Sequence, residues 1–175
     1  YQNKDFNLQP FNVFDVISTY KYTILFYYDY ACFYSNAYTP FVVDLVNKYR
    51  SKGLGAVSYH SCILSEYGRL DKIKEYVKLK KMDKFVHLLI IGKYIDDYGS
   101  TQWDPHNFVG SEGTPSVMVV DKDGTLVRGC SDDRGLLSEF IASLLGAPDN
   151  MYESTDYSKD GEVVTLQRAT VGKGI

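Results

Sequence analysis

The chain has 175 residues, a formal net charge of −3, 45% hydrophobic residues and 23% charged residues. This balance predicts one globular domain with a sizeable core and a short segment to spare. The mild acidity argues against a nucleic-acid partner, and no apolar run approaches the roughly 18–20 residues that span a bilayer. The three cysteines, Cys32, Cys62 and Cys130, are too few for a disulfide framework, and their spacing matches no metal site.

A βαβ unit is predicted near the N-terminus. The apolar run Thr23–Tyr28 has the length and composition of a buried strand. Apolar residues then recur at a helical period over Phe33–Tyr49, with Gly53 as a stop signal. Leu54–Tyr59 is a second buried strand by the same criteria. Because strand, helix and strand follow within about 40 residues, we expect parallel strands joined by a right-handed crossover.

The second half of the chain is predicted to hold a helix, an apolar run, a β-hairpin and a final helix. The turn Asp121–Gly124 between two β-prone runs indicates the hairpin. Ser131 or Asp132 caps the final helix, and Gly146 and Pro148 end it. The elements are expected at Glu66–Lys81, at Phe85–Ile91, at Pro115–Val120 with Thr125–Arg128, and through Leu136 to Leu145.

The character of the sequence changes after Pro148. Asp149–Asp160 is polar and lacks core periodicity, which predicts a linker. Glu162–Leu166 has the composition of a single strand without an evident partner. We therefore expect a domain over residues 1–148 and a linker or tail over residues 149–175 that leads toward a further domain.

Several features, taken in order, resemble a thioredoxin fold. An aromatic strand end at Phe26–Asp29 precedes Cys32, Pro40 follows within the helix, and Gly113-Thr114-Pro115 opens the hairpin. Over residues 6–146 this order resembles extracytoplasmic thiol-disulfide oxidoreductases of bacterial envelopes. The resemblance implies an α/β three-layer sandwich, with a central mixed sheet that includes the βαβ unit and the C-terminal hairpin and helix. It also implies a location in the periplasm, on the cell surface or outside the cell, partners that are protein or peptide thiols and disulfides, and no cofactor.

The same resemblance assigns roles around Cys32. The start of a helix favours a thiolate, so Cys32 is expected to be the nucleophile. Pro115 is expected to follow a cis peptide bond and to keep Thr114 beside Cys32, where its backbone pairs with an extended substrate. Phe33 and Tyr34, next to the nucleophile, are expected to contact the substrate as well.

Ser35 stands where this family has a second cysteine, and it cannot release a mixed disulfide as a thiol does. Three outcomes remain open. An external reductant thiol resolves the mixed disulfide, another cysteine of the chain does so, or the redox function is lost. Cys130, after the hairpin, and Cys62, just beyond the second predicted strand, are the candidate resolving cysteines. Both are equally explained as small buried residues without chemical consequence.

Two further departures bear on the chemistry. The resemblance places Phe26 and Tyr38 where relatives carry acidic residues, and Asp29 is a nearby anion that is expected to raise the thiol pKa. Two hypotheses follow from these features. One is monothiol, isomerase-like thiol-disulfide exchange through Cys32 with help from Ser35. The other is a redox-inactive module that binds peptides or proteins as part of a larger exported protein.

The tail carries a second, weaker resemblance. Asp156–Ile175 is similar to the segment that opens the catalytic domain of secreted metallopeptidases of the IgA-peptidase type, without the zinc ligands of that family. This similarity implies that the chain belongs to a larger modular exported protein.

Overall fold

The computed structural model describes residues 3–63, 68–92, 114–129, 134–146, 154–157 and 163–166. Its main sheet has six strands in the order β1-β4-β3-β2-β5-β6. These strands are β1 (Asn3–Lys4), β2 (Tyr22–Tyr28), β3 (Leu54–Ile63), β4 (Val86–Gly92), β5 (Ser116–Asp121) and β6 (Leu126–Arg128). The described helices are α1 (Phe14–Ile17), α2 (Phe33–Tyr49, followed by a 3-10 turn at Arg50–Lys52), α3 (Gly68–Leu79) and α4 (Arg134–Leu145).

The strand pairing confirms the predicted βαβ unit and hairpin. β2, β3 and β4 are parallel neighbours, and α2 and α3 connect them in turn. β5 runs antiparallel to β2, and β6 runs antiparallel to β5. β2 therefore lies between β3 and β5, in the interior of the sheet. Its last residues face His60 of β3, opposite Tyr28, and Ser116 of β5, opposite Tyr27.

The two faces of the sheet carry different layers. On one face, alternate β2 residues such as Phe26 and Tyr28 pack against apolar side chains of α2, α3 and α4, and this is the larger core. On the other face, Tyr27 packs with Val16 of α1. The predicted three-layer α/β sandwich with a mixed central sheet is thus confirmed.

Some boundaries differ from the prediction. β3 does not end at Tyr59 but continues to Ile63, so Cys62 lies inside the strand and opposite Ile91 of β4. The polar residues after Tyr59 suggested a strand end, yet His60 is buried and the strand keeps its pairing with β4. β1 and α1 were not predicted, because two and four residues are too short to show a period.

The tail also differs from the prediction. β7 (Ser154–Tyr157) pairs antiparallel with β8 (Val163–Leu166) in a separate two-stranded sheet. The stretch predicted to be a linker therefore supplies the partner of the second strand. Pairing uses backbone N–H and C=O groups, so a polar strand gives little signal in the sequence. The rest of the tail, with most of the peptidase-like stretch, lies outside the described residues, and the domain boundary at residue 148 stays a prediction.

Gly55 of β3 leaves room for the Tyr20 ring, which packs on the face of the sheet that carries α1. A Cβ added to Gly55 would lie 2.3 Å from the Tyr20 ring, whereas one added to Gly129 would meet no atom within 4 Å. We expect Gly55→Ala to lower the free energy of unfolding by about 1–3 kcal/mol, because the ring must move out of a packed layer. Gly129→Ala is the matched control and should stay within about 0.5 kcal/mol of the parent chain. Urea unfolding measures both, and equal stability of the two variants would contradict the packing described.

His87 in β4 predicts a loss of stability in acid. Its Nδ1 lies 2.6 Å from Ser58 Oγ and its Nε2 lies 3.0 Å from the Met82 carbonyl oxygen. Since a carbonyl only accepts, Nε2 carries the proton and Nδ1 accepts from the hydroxyl. Burial lowers the pKa of His87 to about 4, although the bond to Met82 raises it in part.

The folded state keeps His87 neutral down to about pH 4, whereas the unfolded chain takes up the proton near pH 6.5. Above about pH 6.5, protonation of His87 therefore takes nothing from the free energy of unfolding. As the pH falls from there toward 4, this free energy decreases by roughly 1–3 kcal/mol. Urea unfolding between pH 7 and pH 4 should show a steeper decline for the parent chain than for His87→Gln. Parallel declines would contradict this account.

Candidate thiol site

Cys32 occupies the junction between the central strand and the first long helix. β2 ends at Tyr28, and Cys32 is the N-cap residue of α2, with extended backbone angles of φ −80° and ψ 125°. The turn between them is held by Asp29. The Cys32 N–H donates to the Asp29 carbonyl at 3.0 Å, and the Ala31 N–H donates to the Asp29 side chain at 2.8 Å. The turn therefore presents the thiol at the C-terminal end of β2.

The segment before β5 lies beside this thiol. The peptide bond between Thr114 and Pro115 is cis. Cys32 Sγ lies 3.5 Å from the Thr114 carbonyl oxygen, across 82 residues of sequence. Cys32 has a free thiol. Cys32, Thr114 and Pro115 are all half-buried. The predicted nucleophile and the predicted substrate loop are thus neighbours in the structure.

Opposing influences set the acidity of this thiol. Burial raises the pKa of Cys32, and hydrogen bonds from the Ser35 N–H, the Thr114 side chain, the Ser35 side chain and the Tyr34 N–H lower it. The hydrogen bonds outweigh burial, so the pKa lies below the ordinary value of a thiol. Two of the donors are N–H groups of the first turn of α2, which lack partners within a helix and favour a negative charge. The raising effect expected from Asp29 does not prevail.

Ser35 lies inside the protein. Its side chain is fully buried, and Ser35 Oγ accepts a hydrogen bond from the Asp29 N–H at 3.3 Å. The hydroxyl thus ties the turn before α2 to the first turn of α2 itself. Cys62 has only its backbone within the described residues, and Cys130 lies outside them, so their resolving role stays a prediction.

Phe33 and Tyr34 form an exposed aromatic pair directly after the thiol. The two side chains are 78% and 72% exposed, and their rings meet edge to face with centroids 5.7 Å apart. Large apolar groups this exposed, next to a free thiol, offer apolar contact area to an incoming chain.

Aromatic rings fill the interior behind the thiol. Phe26 and Tyr38, at the positions where acids are expected from the resemblance, are both buried with ring centroids 6.5 Å apart. Tyr28 stacks on Phe26 at 5.3 Å. This part of the core therefore offers packing rather than a carboxylate for proton transfer.

Several polar contacts near the thiol were not predicted from the sequence. Behind Ser35, Thr39 Oγ1 donates to the Ser35 carbonyl at 2.6 Å and lies 2.7 Å from the Tyr76 hydroxyl of α3. From α4, Arg134 donates to the Ala37 carbonyl at 3.1 Å and lies over the Tyr38 ring. Contacts between segments so far apart leave no periodic signal. The sequence does contain a signal for a different contact, because Pro40 has no N–H to donate to the Asn36 carbonyl four residues earlier.

Neither a metal centre nor a membrane span is found in the parts of the chain that the structure describes. No group of three or more His, Cys, Asp or Glu side chains there could hold a metal ion. No helix among those residues is long and apolar enough to cross a bilayer.

The comparisons with known proteins bear on the fold. No protein-family model matches the sequence, and neither does any curated protein. Among solved structures, a domain of a possible thiol-disulfide isomerase from Cytophaga hutchinsonii superposes with a TM-score of 0.61 at 20% identity, covering 82% of this chain and 87% of its own. The fold is thioredoxin-like.

Two more thioredoxin-like structures agree. A thiol:disulfide interchange protein from a Bacteroides species gives a TM-score of 0.60 at 16% identity, with 85% of this chain and 87% of that chain covered. A secreted disulfide oxidoreductase of Mycobacterium tuberculosis gives 0.55 at 16% identity, with 82% and 95% covered. At these identities the likeness concerns the fold, and the activity has to be argued from the site.

The Thr114 hydroxyl provides a test of the thiol environment. Thr114→Val keeps the side-chain shape and the backbone carbonyl but removes a hydrogen bond that lowers the pKa of Cys32. We expect the pH midpoint of iodoacetamide alkylation to rise by up to about one unit, and the rate at pH 7 to fall by roughly threefold to tenfold. Thr125→Val, in the exposed hairpin, is the control and should leave the midpoint unchanged. An unchanged midpoint in Thr114→Val would contradict the hydrogen bond from the Thr114 side chain to Cys32.

Proposed function

We propose that this domain catalyses thiol-disulfide exchange on protein or peptide substrates, with Cys32 as the single nucleophile. The observation that carries the proposal is the position of Cys32 at the start of α2, beside Thr114 and with a lowered pKa. A larger thiolate fraction at neutral pH makes the sulfur a better nucleophile. The exposed rings of Phe33 and Tyr34 provide apolar contact for the substrate chain near the reacting disulfide.

The exchange proceeds in two steps. The Cys32 thiolate attacks one sulfur of a substrate disulfide, so that the Cys32–substrate bond forms, the substrate S–S bond breaks and a substrate thiolate leaves. A thiol then attacks the substrate sulfur of this mixed disulfide and releases Cys32 as a thiolate. That thiol is either a cysteine of the substrate, which gives isomerisation, or an external small thiol. Ser35 cannot attack, so the mixed disulfide waits for one of these partners.

We also propose where the substrate binds and in which compartment the reaction takes place. Thr114 and Pro115 form the edge along which an extended substrate backbone pairs, next to the thiol. Disulfide substrates persist in oxidising compartments, which fits a location outside the cytoplasm within a larger exported protein. The resemblance of the sequence to envelope oxidoreductases, and the secreted relative by fold, support this placement.

A second function, peptide or protein binding without redox chemistry, is supported by the aromatic residues. Phe26 and Tyr38 leave that part of the core without an acid, and Phe33 with Tyr34 offers an exposed apolar surface. The two functions differ in their dependence on the Cys32 sulfur, which makes them separable by experiment.

The test follows the reshuffling of a scrambled disulfide protein by the full chain in glutathione buffer. We expect the parent chain to accelerate reshuffling and Cys32→Ser to abolish the acceleration, since no other group is assigned to the attack. The rate should increase with the concentration of reduced glutathione, because an external thiol resolves the mixed disulfide. Cys62→Ser and Cys130→Ser are the matched controls for internal resolution. No acceleration by the parent chain, together with peptide binding unchanged in Cys32→Ser, would establish the binding module instead.

Ser35→Cys should convert the site to a two-thiol centre. The new thiol takes a buried position one helical turn along from the nucleophile, so it can attack the mixed disulfide at once. We expect the oxidised variant to protect Cys32 from alkylation until it is reduced, and to release substrate without glutathione. Continued alkylation of Cys32 after oxidation of the variant would contradict the geometry assigned to Ser35.

A further inference from the structure

Pro40 leaves one carbonyl of α2 without its helical partner. In an α-helix the carbonyl of residue 36 accepts from the N–H of residue 40, and proline has no N–H. Pro40 lies inside α2, so the Asn36 carbonyl has to find a donor elsewhere. This carbonyl belongs to the turn that follows Cys32.

Lys80 supplies the missing donor. Its Nζ lies 3.1 Å from the Asn36 carbonyl oxygen, in a half-buried position directly after α3. The same ammonium lies 5.5 Å from the centre of the Tyr76 ring, whose hydroxyl approaches Thr39 of α2 at 2.7 Å. The ring therefore helps to hold the lysine against α2 through a cation–π contact.

Asn36 also holds the turn that carries the thiol. Its Nδ2 donates to the Tyr30 carbonyl at 2.8 Å and to the Cys32 carbonyl at 3.1 Å. Its backbone N–H donates to the Cys32 carbonyl at 3.0 Å. One residue thus binds Lys80 through its carbonyl and fixes the thiol turn through its side chain and N–H.

We propose that Lys80 is a positioning residue for Cys32, which replaces the N–H that Pro40 lacks and holds the first turn of α2 in place through Asn36. The inference rests on the proposed function for its importance in catalysis. In structural terms, the lysine directly after α3 supplies the hydrogen-bond donor that the proline in α2 lacks. If the first turn of α2 loosens, the N–H groups of Tyr34 and Ser35 act less on the Cys32 sulfur, and the thiol becomes less acidic.

The experiment measures the pH midpoint of Cys32 alkylation by iodoacetamide in the full chain, read by peptide mass spectrometry. We expect Lys80→Met to raise the midpoint by about half a unit to one unit, which lowers the alkylation rate at pH 7 by roughly threefold to tenfold. Lys80→Arg keeps a cationic donor and should restore most of the rate. Lys78→Met removes an exposed cation of α3 and should leave the midpoint unchanged.

A cycle with Pro40→Ala tests the specific cause. This substitution brings back the helical N–H at position 40, so Lys80→Met should change the midpoint less in that background than in the parent chain. The same cycle in urea unfolding should show a smaller loss of stability from Lys80→Met when alanine replaces the proline. Equal effects of Lys80→Met in both backgrounds would overturn the inference.

The outcomes separate this inference from the proposed function. If the parent midpoint lies below about 8.5 and Lys80→Met matches Lys78→Met, the inference is wrong and thiol exchange still stands. If the parent midpoint lies at or above that value, the exchange function is wrong. In that case the unfolding cycle alone decides whether Lys80 compensates for Pro40.

Discussion

The thiol site depends on one contact across the sheet, between the start of α2 and the segment that precedes β5. The antiparallel register of β2 and β5 fixes this contact, because it runs from Tyr22 opposite Asp121 to Tyr27 opposite Ser116. Buried side chains on both faces of β2 lock the register, and a slip by one residue would turn each of them to the wrong face. The position of the sulfur is therefore a consequence of the core.

The immediate surroundings of the sulfur combine polar donors in front with aromatic rings behind. Helix N–H groups and two side chains stabilise the thiolate, and they outweigh the penalty of burial. Phe26 and Tyr38 supply no acid, so protons that accompany the proposed exchange would be carried by water or by the reacting thiols. A site of this kind suits attack on a disulfide and capture of the partner better than fast internal turnover. This agrees with the serine at the position of the family's second cysteine.

The sequence predicted the parts of the fold that have a period. β2 is an apolar run, α2 repeats its buried residues along one face, and the hairpin carries an Asp-Gly turn. The positions of Cys32, Ser35 and Thr114 could be predicted because they are tied to the ends of those elements. The predicted β3 ended too early, because buried polar residues such as His60 resemble the residues that follow a strand.

The missed contacts share a physical cause. The bond from Lys80 to the Asn36 carbonyl joins a side chain of one helix end to the backbone of another, and it depends on a packing arrangement that no local pattern encodes. Tyr76 and Thr39 meet for the same reason. The polar strand β7 was not predicted, because its partner strand pairs with it through the backbone. Local signals thus located Cys32, whereas the groups that hold it in place emerged only from the three-dimensional arrangement.

The interior position of β2 also decides how long the site persists when the protein fluctuates. Partial opening of a native protein begins at its least supported segments, which here include the two-residue strand β1 and the three-residue edge strand β6. β2 is paired on both sides and buried on both faces, so its amides belong to the slowest class for hydrogen exchange. Because Cys32 follows this strand after one tight turn, the thiol is attached to the part of the sheet that opens last. Fraying at either rim of the sheet can therefore come and go while the Cys32 thiol keeps its place.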